Sequence, residues 1–218
     1  MPGRKELVEI CHRVYEQGFV SAYDGNISVA TPDNTFLITR SAVRKGDVTE
    51  EDILEIDSSG RILNGRGKIS TEYKIHLYAY SKRPEVNAVV HCHPVYATAF
   101  ASLGQGLTEN YFPEVILTLG KVPLCNYATP STDDLPLSME PYIDYAWAFL
   151  FQNHGAVTLG KTLKDAYNKM EKLEHTAHIL FAAKLLGGAK ELQYEKIKEL
   201  LSLAKQNYGL DIDDRNIF

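Results

Sequence analysis

Asn87-Ala-Val-Val-His-Cys-His-Pro94 is the stretch on which the fold turns. A small, β-branched apolar run closed by proline reads as a buried strand. Successive strand side chains point to opposite faces, so His91 and His93 share one face and Cys92 takes the other. Two imidazoles on one side of a rigid strand are a ready chelate for a metal ion. Burying the pair without a metal is costly unless both rings are hydrogen-bonded. The alternative is an ordinary buried pair or two surface histidines.

C-terminal to this strand, residues 96–102 read as a helix and residues 115–119 and 122–125 as strand-like. Residues 130–145 read as a loop followed by a helix. Residues 147–151 form a second buried strand, Asn153-His154-Gly155 a turn, and residues 156–159 a return strand. Residues 162–186 give a long helix with Asp165 in its first turn, broken by Gly187-Gly188, and residues 190–207 a final helix. N-terminal to it, Leu7, Ile10, Cys11 and Val14 recur at helical spacing within residues 4–17. Short strands are expected at 27–29, 36–39 and 53–56, with a capping box from Thr49 to Asp52. Residues 61–69 carry little order signal. Ser70 or Thr71 is expected to cap a helix that Arg83-Pro84 ends. Strands and helices mix without strict alternation. The fold class is therefore α/β of an α+β-like, three-layer kind, with a central mixed, mostly antiparallel sheet flanked by helices and one domain over residues 1–218.

The 218 residues carry a net charge of −5 with no basic stripe, which excludes nucleic acid as the main partner. Apolar runs reach about ten residues, against the roughly 20 needed to span a bilayer. No apolar signal core opens the chain. Cys11, Cys92 and Cys125 are odd in number and scattered, so no disulfide framework is expected and a reducing cytoplasm is the default.

A metal on His91 and His93 needs more ligands. His154, in a tight turn after a buried strand, is oddly placed for packing, although a turn residue at positive φ is the plain alternative. Glu72 opens a helix, where a carboxylate also complements the helix dipole. Three histidines and one carboxylate could hold Zn2+ with an exchangeable position. Gly25-Asn26-Ile-Ser28, Thr39-Arg40-Ser41 and Ser70-Thr71 are polar elements at strand ends and a helix start, where anions bind, and Arg40 and Arg44 add charge. His12 reads as a lone helix residue. His76, one turn past Glu72, reads as lining the site. His175 and His178 pair with Glu171 and Glu174 at i, i+4 on a solvated helix face. Tyr208 sits in a polar tail with no core to join unless that tail docks.

These pieces, in this order and over nearly the whole chain, resemble the class II aldolase/adducin family, and within it the L-fuculose-1-phosphate aldolases. The stretches are Gly25-Asn-Ile-Ser28, Thr39-Arg-Ser-Ala42, Ser70-Thr-Glu-Tyr73, Val89-Val-His-Cys-His93, the Tyr127-Ala-Thr129 segment, Asn153-His-Gly155, the helix from Leu163 and Tyr208-Gly-Leu210. The resemblance implies that His91, His93 and His154 hold Zn2+, with Mn2+ or Co2+ as substitutes. It implies that Glu72 is the acid/base at the metal and Tyr208 a catalytic tyrosine of a mobile C-terminal tail. Gly25, Asn26, Arg40, Ser41, Ser70 and Thr71 fall in the phosphate pocket. The implied reaction is cleavage of a ketose 1-phosphate into dihydroxyacetone phosphate and an aldehyde through a metal-stabilised enediolate. The implied assembly is a homotetramer with sites between subunits. The family's second tyrosine falls near Tyr111 or Phe112, the gapless alignment giving Phe112. Pro113-Glu114 departs from the fuculose enzymes, with Glu114 expected to be exposed. Arg40-Ser41-Ala42 stands where the family has Pro, then Ser or Thr, then Gly. The rivals are a ribulose-5-phosphate 4-epimerase, which carries Asp at position 72, a sugar-acid phosphate decarboxylase or dehydratase, and a non-enzymatic adducin-like module, which lacks the histidines.

Overall fold

A computed structural model describes residues 2–218. Its centre is an eight-stranded sheet in the order β4-β3-β2-β1-β5-β8-β7-β6. The strands are β1 (Asn26–Ala30), β2 (Phe36–Thr39), β3 (Ile53–Ile56), β4 (Ile62–Asn64), β5 (Ala88–Cys92), β6 (Leu124–Cys125), β7 (Ala148–Phe151) and β8 (Gly155–Gly160). Every neighbouring pair is antiparallel except β6 with β7, so the sheet is mixed and mostly antiparallel, as expected.

The 87–94 stretch sits in the middle of this sheet as β5, paired with β1 on one side and β8 on the other. All five β5 residues are buried, because helices cover both faces. Ala88, Val90 and Cys92 join the core under α1 (Pro2–Glu16), α3 (Val95–Ser102) and α6 (Leu163–Leu185). Val89 joins the opposite core, with Ile75 and Ala79 of α2 (Tyr73–Lys82) and Leu135 of α5 (Asp134–Leu137). The apolar stripe of α1 is spent in full, with Leu7, Ile10, Cys11 and Val14 all buried. Burial of each such Leu, Ile or Val contributes about 1.5–3 kcal/mol. Thr162 caps α6 by accepting the Asp165 amide at 3.1 Å. The capping box from Thr49 to Asp52 closes a 3-10 turn, as its spacing predicts. All three cysteines are free and buried.

Five expectations are corrected. Residues 115–119 are not a strand but lie in and just after α4 (Pro113–Thr118), where Pro113 occupies the first turn and Glu114 complements the dipole. Residues 61–69 hold β4, an edge strand whose residues are all exposed and so carry no alternation to read. The helix in 130–145 shrinks to the four residues of α5. Ser70 and Thr71 precede α2 without capping it, and Glu72 occupies the N-cap position. The last helix, α7 (Tyr194–Tyr208), includes Tyr208 as its final residue and ends on Gly209 in the left-handed conformation.

Candidate metal centre

The register of the sheet builds the site. Asn26 of β1 lies opposite His91 of β5, and His91 lies opposite Val157 of β8. Asn26 and His91 therefore project together from the α2 side. His93 follows one step beyond β5, where its amide is held by the Phe19 carbonyl at 2.9 Å. His154 arrives from the β7–β8 turn, made possible by Asn153 at φ 56°. Gly155 allows that turn to touch His93, since a Cβ there would lie 2.4 Å from the His93 ring. Gly25, at φ 74°, brings the 23–26 loop against β5, where a Cβ would lie 2.7 Å from the His91 carbonyl oxygen.

The three imidazoles form a nearly equilateral triangle. Ring centroids are 5.0 Å apart for His91 and His93, 5.0 Å for His91 and His154, and 5.1 Å for His93 and His154. His91 Nδ1 lies 3.0 Å from the Ala156 carbonyl and donates to it, which turns Nε2 towards the site. His91 Nε2 and His93 Nε2 are 3.3 Å apart. Two nitrogens about 2.0–2.1 Å from a shared tetrahedral Zn2+ stand roughly 3.4 Å from each other, so this spacing fits such an ion. His154 Nδ1 is buried with no hydrogen-bond partner, so that ring is oriented only from its other nitrogen. Its Nε2 lies 3.0 Å from Glu72 Oε1. Glu72 Oε2 lies 3.4 Å from His91 Nε2. Three histidines and a carboxylate thus converge as a donor set suited to a divalent cation.

The charges are coupled. Burial opposes ionisation of Glu72, but attraction to His91 and hydrogen bonds from His154 and His91 outweigh it, so the carboxyl stays far below the ordinary range. Burial likewise opposes a proton on His91, yet Glu72 and the Ala156 carbonyl hold its pKa above the ordinary value. His93 is pushed down to about 3 by burial and by the other two histidines.

The polar loops surround this centre unevenly. Asn26 Nδ2 donates to Glu72 Oε2 at 2.8 Å and to Ser70 Oγ at 3.3 Å. Ser41 lies beside residue 68 through its amide, bonded to the Lys68 carbonyl at 2.8 Å, so the 40–42 loop runs alongside Ser70. Buried Lys45 ties the two loops together, donating to Val43 O at 3.0 Å and Tyr23 O at 3.5 Å. Thr71 Oγ1 pairs with Ser131 Oγ at 2.6 Å. Arg40 turns its guanidinium to Asp52, with Nε 2.7 Å from Oδ1. Tyr208 is 74% exposed at the end of α7, and among the described residues it makes no hydrogen bond to the histidines or Glu72. Tyr111 and Phe112 pack partly buried against the α1–α6 core, and Glu114 is exposed.

Some contributors escape a reading of the sequence. Asp24 stands 3.8 Å from His93 Nδ1. His76 does not line the site. It is buried behind it, bonded to Asn26 and Ser28. The only signal was its spacing of four from Glu72. On α6, Glu174 accepts the Tyr96 and Ala97 amides at 2.9 Å and His178 stacks on Tyr96, so that helix face is not simply solvated.

The family model for the class II aldolase and adducin N-terminal domain matches residues 5–181, most of the chain. The chain belongs to the class II aldolase/adducin family. Among class II relatives, it is 38% identical over 175 residues to L-fuculose phosphate aldolase of Methanococcus vannielii, covering 80% of this chain and 93% of the relative. It is 31% identical over 205 residues to 3-oxo-tetronate 4-phosphate decarboxylase of Escherichia coli K12, covering 92% of this chain and 94% of the relative. A solved structure of L-fuculose 1-phosphate aldolase superposes with a TM-score of 0.85 at 28% identity, covering 93% of this chain and 95% of that one. The class II fold is thus common to relatives that break different bonds.

Proposed function

We propose that this class II family member is a divalent-metal lyase that releases dihydroxyacetone phosphate from a phosphorylated ketose by retro-aldol cleavage. The observation that carries this reading is the carboxylate of Glu72 held 3.0 Å from His154 and 3.4 Å from His91, with Asn26 donating to it. His91, His93 and His154 would hold the cation. When bound there, Zn2+, Mn2+ or Co2+ supplies Lewis-acid polarisation of a substrate carbonyl oxygen.

The chain's own residues do the rest. Glu72, kept ionised, accepts and returns the proton on the carbon that becomes nucleophilic. Gly25, Asn26, Ser41, Ser70 and Thr71, on adjoining loops, anchor the phosphate, so binding energy far from the reacting carbon goes into orientation. Arg40, engaged by Asp52, sets the position of that loop from behind. Tyr208 donates a proton to the aldehyde oxygen in the condensation direction. Its exposure at the end of α7 suits a site completed by a neighbouring subunit, as in a homotetramer. The chain's three free, buried cysteines suit the reducing cytoplasm as the setting for such an enzyme on a small substrate.

A second reading is decarboxylation of a 3-oxo sugar acid phosphate, favoured by the decarboxylase relative, which matches 92% of the chain. Loss of CO2 from such an acid leaves the same three-carbon carbanion, so the two readings share Glu72 and the metal and differ in the need for Tyr208. The deciding experiment incubates the metal-restored protein with ketose 1-phosphates and with a 3-oxo-tetronate 4-phosphate, measuring dihydroxyacetone phosphate, aldehyde and CO2. Aldehyde with dihydroxyacetone phosphate is the expected result. CO2 with dihydroxyacetone phosphate and no aldehyde selects the second reading, and no dihydroxyacetone phosphate from any substrate with Zn2+, Mn2+ or Co2+ rejects both.

A further inference from the structure

Beneath the candidate site, on the α2 side of the sheet, a row of polar side chains leads from Glu72 back into the core. The Tyr80 hydroxyl lies 2.6 Å from Ser28 Oγ. Ser28 Oγ lies 2.6 Å from His76 Nδ1. His76 Nε2 lies 2.5 Å from Asn26 Oδ1. Asn26 Nδ2 lies 2.8 Å from Glu72 Oε2. Ser28 is fully buried and His76 is 1% exposed, so no water competes for these atoms.

The direction of every hydrogen follows from the end of the row. A carboxylate only accepts, so Asn26 must turn its NH2 to Glu72. Its carbonyl oxygen then faces His76, which must carry its hydrogen on Nε2. The Nδ1 lone pair must accept from the Ser28 hydroxyl, and Ser28 must accept from Tyr80. Reversing any link sets two acceptors or two donors against each other in a dry setting, where an unmatched group costs about 1–3 kcal/mol. Sequence and fold explain how the row comes about. His76 is one helical turn beyond Glu72, so both side chains leave the same face of α2. Asn26 and Ser28 are two apart on β1, so both point at that face.

We propose that His76 is a positioning residue: as the Nε2–H tautomer that the row requires, with Ser28 and Tyr80 behind it, it holds the Asn26 carbonyl, keeps the amide donor aimed at Glu72 and so pins the carboxylate beside the three histidines. Without His76 the Asn26 carbonyl loses its donor and the amide is held from the Glu72 side alone, so amide and carboxylate can shift together away from the three histidines. Burial, aided by the charge of His91, also pushes the His76 imidazole down to about 3, so the neutral ring persists through ordinary pH. The effect on turnover rests on the reading of Glu72 given above. The effect on the ring and on metal binding does not.

The test has two arms. In the first, the metal-free full chain with 15N-labelled histidine is examined by long-range proton–nitrogen correlation. His76 is expected as the Nε2–H tautomer, unchanged from pH 6 to 8. An Nδ1–H tautomer or an imidazolium in that range overturns the proposal. In the second, H76Q, N26A and the double variant are compared in Zn2+ affinity, by competition with a chromophoric chelator, and in kcat. H76Q alone is expected to lose about 10–100-fold in one or both, the usual range for a group that orients a metal site from behind. On the N26A background it should lose less than about threefold more, because the conduit is gone. A full, additive loss in N26A/H76Q overturns the proposal. If H76Q does not fold, S28A replaces it in the same cycle with the same criteria. A protein with no lyase activity on any substrate would sink the proposed reaction while leaving the tautomer and Zn2+ results to decide this one.

Discussion

In the metal-free protein, Glu72 and His91 satisfy each other inside a buried site, and a cation must enter by displacing a proton. The raised pKa of His91 means that at pH 6 the proton is held. Acid therefore competes with metal: Zn2+ affinity falls as the pH drops, by about tenfold per unit below that raised pKa, and levels off above it. Calorimetric titration with Zn2+ at pH 6, in buffers of different ionisation enthalpy, should report at least one proton released per ion. A heat independent of the buffer would contradict it. At this scale the sequence was informative where chemistry is local. His91 and His93 are read from strand alternation alone. His154 and Glu72 came from odd placement and from the resemblance, since only the sheet register brings them to the same point. His76 looked like a lining residue because its partners, Asn26 and Ser28, lie about 50 residues away on another strand.

Among the elements, the 40–42 loop carries a strained residue. Ala42 sits at φ 57°, a backbone conformation that glycine takes freely and other residues resist. Left-handed backbone costs a non-glycine residue about 1–2 kcal/mol, and glycine gives back about 0.5–1 kcal/mol through its more flexible unfolded state. The variant A42G is thus expected to gain about 0.5–1 kcal/mol of stability. Chemical denaturation should place its midpoint above that of the parent. A midpoint clearly below it would show that the alanine methyl contributes packing that outweighs the strain. The legibility of the other elements follows from how each is buried. β5, β7 and β8 lie between two helical layers, and their apolar runs announce them. β4 has no covered face and α4 is a six-residue helix with a β-branched run, so periodicity had too little to work on and Pro113 was the better guide.

At the scale of the whole molecule, the proposed reaction asks a neighbouring chain to complete the site. Glu72 is sheltered between the histidines, whereas Tyr208 stands exposed on α7 without a partner in the site. If each site combines Glu72 of one subunit with Tyr208 of a neighbour, E72Q and Y208F subunits complement each other. Random assembly at equal amounts leaves about a quarter of the sites with both intact residues. Each pure variant should be nearly inactive in aldol condensation, and refolding or co-expressing the two should restore roughly that fraction. No recovery in proven mixed oligomers would place Tyr208 outside the reaction or in its own subunit's site.

The pairing of β5 with strands on both sides has a last consequence. The imidazoles stand on a frame that is complete before any ion arrives, unlike small modules that fold only around their metal. Stripping the cation and unravelling the chain are then separate events, and the emptied protein keeps its shape while it waits. Imidazole donors suit several divalent ions, so which of them would fill such a frame turns on supply as much as on the donor set.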